Sequence, residues 1–246
     1  MITAYHRPKT LDEALALLAQ PNTLPLGGGT LLSQPTTDSV HAVDLQLLGL
    51  DSLRVNGNSL ELGATLTLQS LLESEYCPSA LKSALKLEAP LNIRNSATLA
   101  GTLVSCDGRS TFATALLALD SRLETRDSDK KSLVSSLGEF LPLRPRGLIT
   151  SITVPLNVKL AFEYVSRTPA DKPIVCVALA QWNSGRTRLA VGGYGKSPML
   201  AMDGTASDDV STAARNAFHE ATDDYGSAEY RMDVASTLAK RCVEVQ

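Results

Sequence analysis

Two short segments carry the residue types that hold an anion. Gly27-Gly28-Gly29-Thr30 follows directly on the short apolar run Thr23-Leu24-Pro25-Leu26, and Thr98-Leu99-Ala100-Gly101-Thr102 is again small and hydroxyl-rich. Glycine lets backbone N–H groups approach an anion with no Cβ in the way. Two such loops suit the two ends of one phosphate-containing ligand. Neither has the G-x-G-x-x-G spacing, with an acid about 20 residues on, that marks a Rossmann dinucleotide site. As bare patterns they stop there, because a glycine triplet is a structural turn more often than a binding loop.

Other chemistries find little support. The chain has no G-x-S-x-G, no H-E-x-x-H and no G-x-x-x-x-G-K-[ST]. Cys77, Cys106, Cys176 and Cys242 are far apart and form no C-x-x-C pair. A disulfide framework, or a zinc or iron–sulfur site built from this chain alone, is therefore not expected. His6, His41 and His219 are isolated. Asp208-Asp209 and Asp223-Asp224 sit beside expected helix ends, where aspartate is favourable for dipole reasons alone.

The elements that must position the two segments can be read from periodicity. Thr10-Leu11-Asp12-Glu13 has the S/T-x-x-E form of a capping box, and Leu11, Ala14, Leu15 and Leu18 follow as one apolar stripe. A helix there, with short strands at 23–26 and 41–44, predicts a small α/β unit. Asn56-Gly57-Asn58 predicts a hairpin turn between 53–55 and 59–63. Helices are expected at 67–73 and 79–88; in the second, Leu81, Ala84, Leu85 and Glu88 share a face. Residues 105–110 read as a polar loop, 112–119 as a buried helix and 121–126 as a strand. From about residue 148 strands follow one another, at 149–154, 160–165, 174–182 and 187–191. Two helices then close the chain, at 208–222 and 227–243. Strands followed by helices predict an antiparallel sheet.

Composition narrows the function classes. The chain has 246 residues, 43% hydrophobic, 20% charged and 4% aromatic, with a formal net charge of −3. That balance argues against a nucleic-acid partner, which calls for a basic surface and stacking aromatics. No apolar run approaches the 18 or so residues of a membrane span. The N-terminal residues lack the apolar core of a secretory signal, so a cytoplasmic location is expected.

Seven segments, in order and over almost the whole chain, resemble the flavin-binding medium subunit of the molybdenum hydroxylases. That family includes carbon monoxide dehydrogenase medium subunits and the flavin domain of xanthine dehydrogenases. The segments are Tyr5 to Ala14, Pro25 to Leu32, Val43-Asp44-Leu45, Leu60 to Ala64, Ile93 to Thr102, Ala115 to Asp120 and Ser227 to Arg231. The second is similar to the family's A-G-G-T-D-L-L loop and the fifth to its I-R-N-x-A-T-I-G-G-N.

The resemblance implies an α+β fold in three parts. A non-Rossmann FAD-binding domain over 1–157 would combine a small α/β subdomain with a mixed α+β subdomain. A C-terminal antiparallel sheet with helices would occupy 158–246. It implies FAD as cofactor, bound by Leu26, Gly27, Gly28, Gly29, Thr30 and Leu31 and by Thr98, Ala100, Gly101 and Thr102. Asp107 and Thr111 are candidates for the ribose or pyrophosphate end. Arg94 and Asn95 are expected to hold the second loop in shape.

An oxidoreductase subunit of a hetero-oligomer is implied, with no metal ligand and no general acid or base of its own. Electrons would come from a molybdenum-cofactor large subunit through an iron–sulfur small subunit, and leave to NAD, oxygen or a quinone. Three positions depart from the family pattern. Ala100 stands for glycine, Thr102 for asparagine, and Thr111 for the acid before the Ala115–Asp120 helix, an acid that Asp107 is the candidate to supply. The chain is also short between Arg126 and Ile149. These departures motivate one alternative, a structural or assembly subunit of the same complex that has lost its flavin.

Overall fold

The computed structural model describes residues 1–35, 37–205 and 209–245. The chain begins with β1 (Ile2–His6), α1 (Leu11–Leu18), β2 (Thr23–Leu26) and β3 (Val40–Asp44). The three strands form a parallel sheet in the order β1-β3-β2. Helix α1 starts because the Thr10 hydroxyl accepts from Glu13 N at 3.2 Å, while the Glu13 carboxylate accepts from Lys9 N at 2.9 Å. It buries Ala14 and Leu15 against Val43, Leu45 and Leu148.

The middle of the chain runs β4 (Leu53–Asn56), β5 (Ser59–Gly63), α2 (Leu68–Glu73), α3 (Ser79–Glu88), the single turn α4 (Leu91–Arg94) and α5 (Leu99–Ser105). Then come α6 (Thr111–Ala118), β6 (Arg122–Arg126), β7 (Ser132–Ser136), α7 (Leu137–Leu143) and β8 (Leu148–Pro155). Its strands pair antiparallel in the order β4-β5-β8-β6-β7.

The last part is β9 (Val158–Val165), β10 (Val175–Trp182), β11 (Thr187–Gly192), β12 (Met199–Gly204), α8 (Val210–Asn216) and α9 (Ala228–Glu244). Its antiparallel sheet has the order β12-β11-β10-β9. Helices α8 and α9 cover one face, with Phe218, Leu238 and Cys242 against Val177, Leu189 and Val191. The other face receives α6, whose eight residues are all buried. The largest core therefore joins Phe112, Leu116 and Ile152 to Ala178, Ala180 and Ala190, across the connection between β8 and β9.

The architecture is the expected α+β one. Elements β1, α4, β7, α7 and β12 go beyond the sequence reading. The important difference is α5, because Thr98 to Thr102 is the start of a helix rather than a loop. Helix α8 is shorter than 208–222, since the chain tightens into turns after it, with Phe218 N bonding to Arg215 O at 3.2 Å. Asp208 lies outside the described residues. No helix among the described residues is long and apolar enough to cross a membrane.

Candidate functional site

The first segment leaves the edge of the parallel sheet. The β2–β3 ladder ends where Leu45 N donates to Leu26 O at 3.1 Å. The chain then turns, with Ser33 N bonding to Gly29 O and Gln34 N to Leu31 O, both at 3.0 Å. Among the described residues, the backbone N–H groups from Gly27 through Leu32 have no protein acceptor. Part of the reason is general: N–H groups in a first turn have no carbonyl one turn behind them.

The second segment is built the opposite way. Thr98 caps α5, its hydroxyl accepting from Gly101 N at 3.2 Å. Leu99 N donates to Leu66 O at 2.9 Å and Ala100 N to Ala64 O at 3.1 Å. The Thr102 hydroxyl donates back to Thr98 O at 2.9 Å, within its own helix. The segment thus offers a small surface at Ala100 and Gly101, and its first-turn amides are already engaged.

The two segments touch. A Cβ at Gly28 would lie 1.6 Å from the Ser96 carbonyl oxygen. A Cβ at Gly27 or Gly101 would lie 2.9 or 2.8 Å from the Thr98 hydroxyl. Glycine at 27 and 28 is therefore required by the packing of one segment on the other, and glycine at 101 by the Thr98 cap of its own helix. At Gly29 the reason is conformational, since its φ of 72° is left-handed.

Two cavities open beside this contact. One, of about 530 Å³, is lined by Leu26, Gly27, Gly28, Gly29, Thr98, Ala100 and Gly101, and closed by Arg144, Arg146, Leu148 and Ile149. The other, of about 670 Å³, is lined by Lys86, Glu88, Thr102, Ser105, Cys106 and Lys172. Thr30 and Leu31 line both, so the cavities meet at the first segment. The 530 Å³ cavity is the more apolar, and the larger one carries Lys86, Lys172 and Glu88. Burial pushes the Cys106 thiol up to about 11, so it stays protonated.

The remaining sequence candidates fall elsewhere. Asp107 is exposed in the turn after α5, where it accepts from Arg109 N at 2.9 Å and lies 3.8 Å from Lys172. That turn is fastened to the C-terminal sheet by Gly108 N to Gly195 O at 2.9 Å and Gly193 N to Gly108 O at 2.6 Å. Thr111 is fully buried, and its hydroxyl donates to Ala84 O at 2.7 Å. Neither Asp107 nor Thr111 lines either cavity. Arg94, expected with Asn95 to hold the second segment in shape, donates to Gln69 Oε1, Lys86 O and Ala89 O, which ties α4 to α2 and to the end of α3.

Three residues not singled out from the sequence line the site. Glu88, at the end of α3, reaches the start of α6 and accepts from Ser110 Oγ and Phe112 N. Its signal was the one carboxylate on an otherwise apolar helix face. Arg146 is exposed and has no acid partner among the described residues. Lys172 is set by Arg109, which donates to the Lys172 carbonyl at 2.6 Å and to Pro173 O at 3.2 Å.

Known proteins share this fold. Escherichia coli YgfM (strain K12), an uncharacterized protein, is 27% identical over 97% of this chain and 94% of its own length. The carbon monoxide dehydrogenase medium chain of Afipia carboxidovorans is 24% identical over 98% of this chain and 95% of its own. The reconstituted CO dehydrogenase from Oligotropha carboxidovorans superposes with a TM-score of 0.82 at 25% identity, covering 98% of this chain and 96% of that one. A family model described as the FAD binding domain in molybdopterin dehydrogenase matches residues 1–157. With that match over most of its length, the chain belongs to the family of FAD-binding subunits of molybdopterin dehydrogenases, and its cofactor is FAD.

Proposed function

We propose that this chain is the flavin-carrying electron-transfer subunit of a molybdenum-dependent dehydrogenase. It would take electrons from an iron–sulfur small subunit, fed by a molybdenum-cofactor large subunit, and pass them to NAD, oxygen or a quinone. The observation that carries the site is the run of amides from Gly27 to Leu32 with no protein acceptor, on residues that line the 530 Å³ cavity and, through Thr30 and Leu31, reach the other.

The residues fit FAD. Neutral N–H donors, with Arg146 nearby, suit a diphosphate. The cavities on either side, about 530 and 670 Å³, are of the size that takes the two halves of such a ligand. The bound flavin supplies the redox chemistry, and the protein contributes position and electrostatics. Gly27, Gly28, Gly29, Thr30 and Leu31 orient the diphosphate through their amides. Ala100 and Gly101 let it approach α5, and Thr98 caps α5 and packs against Gly27. Leu26, Leu148 and Ile149 exclude water from the apolar end. Residues 1–157 act as the flavin domain, and 158–246 close the groove through Pro169, Ala170 and Lys172. No side chain is assigned as a general acid or base.

The test is colour. The protein purified alone, and again with its partner subunits, will be yellow with flavin absorption near ~450 nm. A colourless preparation that takes up no added FAD in either form overturns the reading and leaves a flavin-less assembly subunit.

A further inference from the structure

Glu88 is a buried carboxylate with one oxygen satisfied and the other open. Its side chain is 5% exposed. All of its hydrogen bonds fall on Oε2, from Ser110 Oγ at 2.8 Å and Phe112 N at 2.9 Å, with the Thr111 hydroxyl, whose proton goes to Ala84 O, 3.2 Å away. For Oε1 the nearest cation is the Lys172 ammonium, at 4.0 Å, beyond hydrogen-bond reach. Glu88 lines the 670 Å³ cavity, and Oε1 is not sealed in protein. A carboxylate held so firmly on one side and free on the other presents a fixed acceptor to whatever fills the cavity.

We propose that Glu88 is a flavin-binding residue, Oε1 accepting a hydrogen bond from a ribityl hydroxyl or a ring N–H of the cofactor. The inference rests on the FAD reading above and adds which half of the ligand lies in this cavity. A carboxylate repels phosphate, so the diphosphate belongs beside the amides of the first segment. Both uncharged halves carry hydroxyl and N–H donors, and the flavin half, the larger of the two, is assigned to the cavity beside Glu88 because that cavity is the larger, about 670 against 530 Å³.

The same geometry supplies two informative variants. In Glu88→Gln the Ser110 and Phe112 donors at the Oε2 position require the amide oxygen there, which turns the amide NH2 group toward the cavity. The cap on α6 is kept while the acceptor becomes a donor. In Glu88→Ala/Thr111→Asp, a carboxylate is supplied from α6 itself, at a residue whose hydroxyl already lies 3.2 Å from Glu88 Oε2.

The experiment titrates the flavin-free full chain with FAD, with FMN and with ADP, following flavin fluorescence or heat, and records thermal unfolding without ligand. Glu88→Gln should weaken FAD and FMN about 10- to 100-fold, the loss of one charge-assisted hydrogen bond, and leave ADP and the melting temperature unchanged. Glu88→Ala alone should lose at least as much affinity, with the Thr111→Asp partner restoring part of it. Equal FAD and FMN affinity in wild type and Glu88→Gln overturns the proposal, as does a matching loss for ADP. Failure of the wild-type chain to bind FAD at all refutes the functional reading instead.

Discussion

Residues 27–32 and 98–102 are built from nearly the same amino acids, touch each other, and treat their backbone donors in opposite ways. In the first, no N–H from Gly27 to Leu32 finds a protein acceptor among the described residues. In the second, the N–H groups of Leu99, Ala100 and Gly101 are bonded to Leu66 O, Ala64 O and the Thr98 hydroxyl. The difference comes from location. The first segment leaves an edge strand, so nothing lies beyond it to accept. The second is laid antiparallel against 64–68 and capped by its own threonine. Small residues thus serve donation in one place and close packing in the other.

Gly28→Val is the harshest test of this contrast. A side chain at 28 must displace the Ser96 carbonyl, 1.6 Å from its Cβ, and so separates the two segments. Flavin retention should be lost, with about 1–3 kcal/mol of stability. Flavin content of the purified variant and its melting curve check both. Normal flavin content in a folded variant would mean that the contact does not hold the loop.

Thr98→Ala comes next. It removes the cap on α5, at a cost of about 1 kcal/mol. It also frees Gly101 N, so the variant asks whether an unengaged amide on α5 helps the ligand. The contrast predicts that it does not: FAD affinity, measured by titration, should fall several-fold as the first turn frays. A rise in affinity would break the division of labour between the segments.

Thr102→Val should do least. Its hydroxyl bonds within its own helix, so stability should move by no more than about 0.5 kcal/mol. FAD affinity should change less than about twofold, where removing a direct contact would cost about tenfold. A tenfold loss in titration would show that Thr102 meets the cofactor despite its internal bond.

Much of the fold was legible because local signals agreed with it. The Asn56-Gly57-Asn58 turn, the Thr10 cap and the apolar run 112–119 all fold as their patterns predict. What was missed has physical causes. Helix α5 hides behind glycine and alanine, yet Leu99 and Leu103 are spaced as a buried stripe and Thr98 is a good cap. Helix α7 carries Pro142 inside, which masks the capping box formed by Ser136 and Glu139. Strand β12 is half-exposed on a sheet edge, and Met199-Leu200-Ala201-Met202 shows no alternation.

At the site, the first segment was legible as a donor loop, and residues 98–102 were legible only in composition. Glu88 was visible as a carboxylate on an apolar face. That it reaches α6, 22 residues on, is a tertiary fact with no local trace.

Helix α6 has a consequence for how this protein is made. The ribosome releases the chain from the N-terminus, and all eight residues of α6 emerge before β10 and β11, the strands that cover one of its sides. Until the chain has run on to Gly192, the end of β11, that apolar side has only solvent, a chaperone or a neighbouring nascent chain to meet. A fragment ending at residue 157 would stay in that condition for good, so the C-terminal sheet also completes the core that α6 begins.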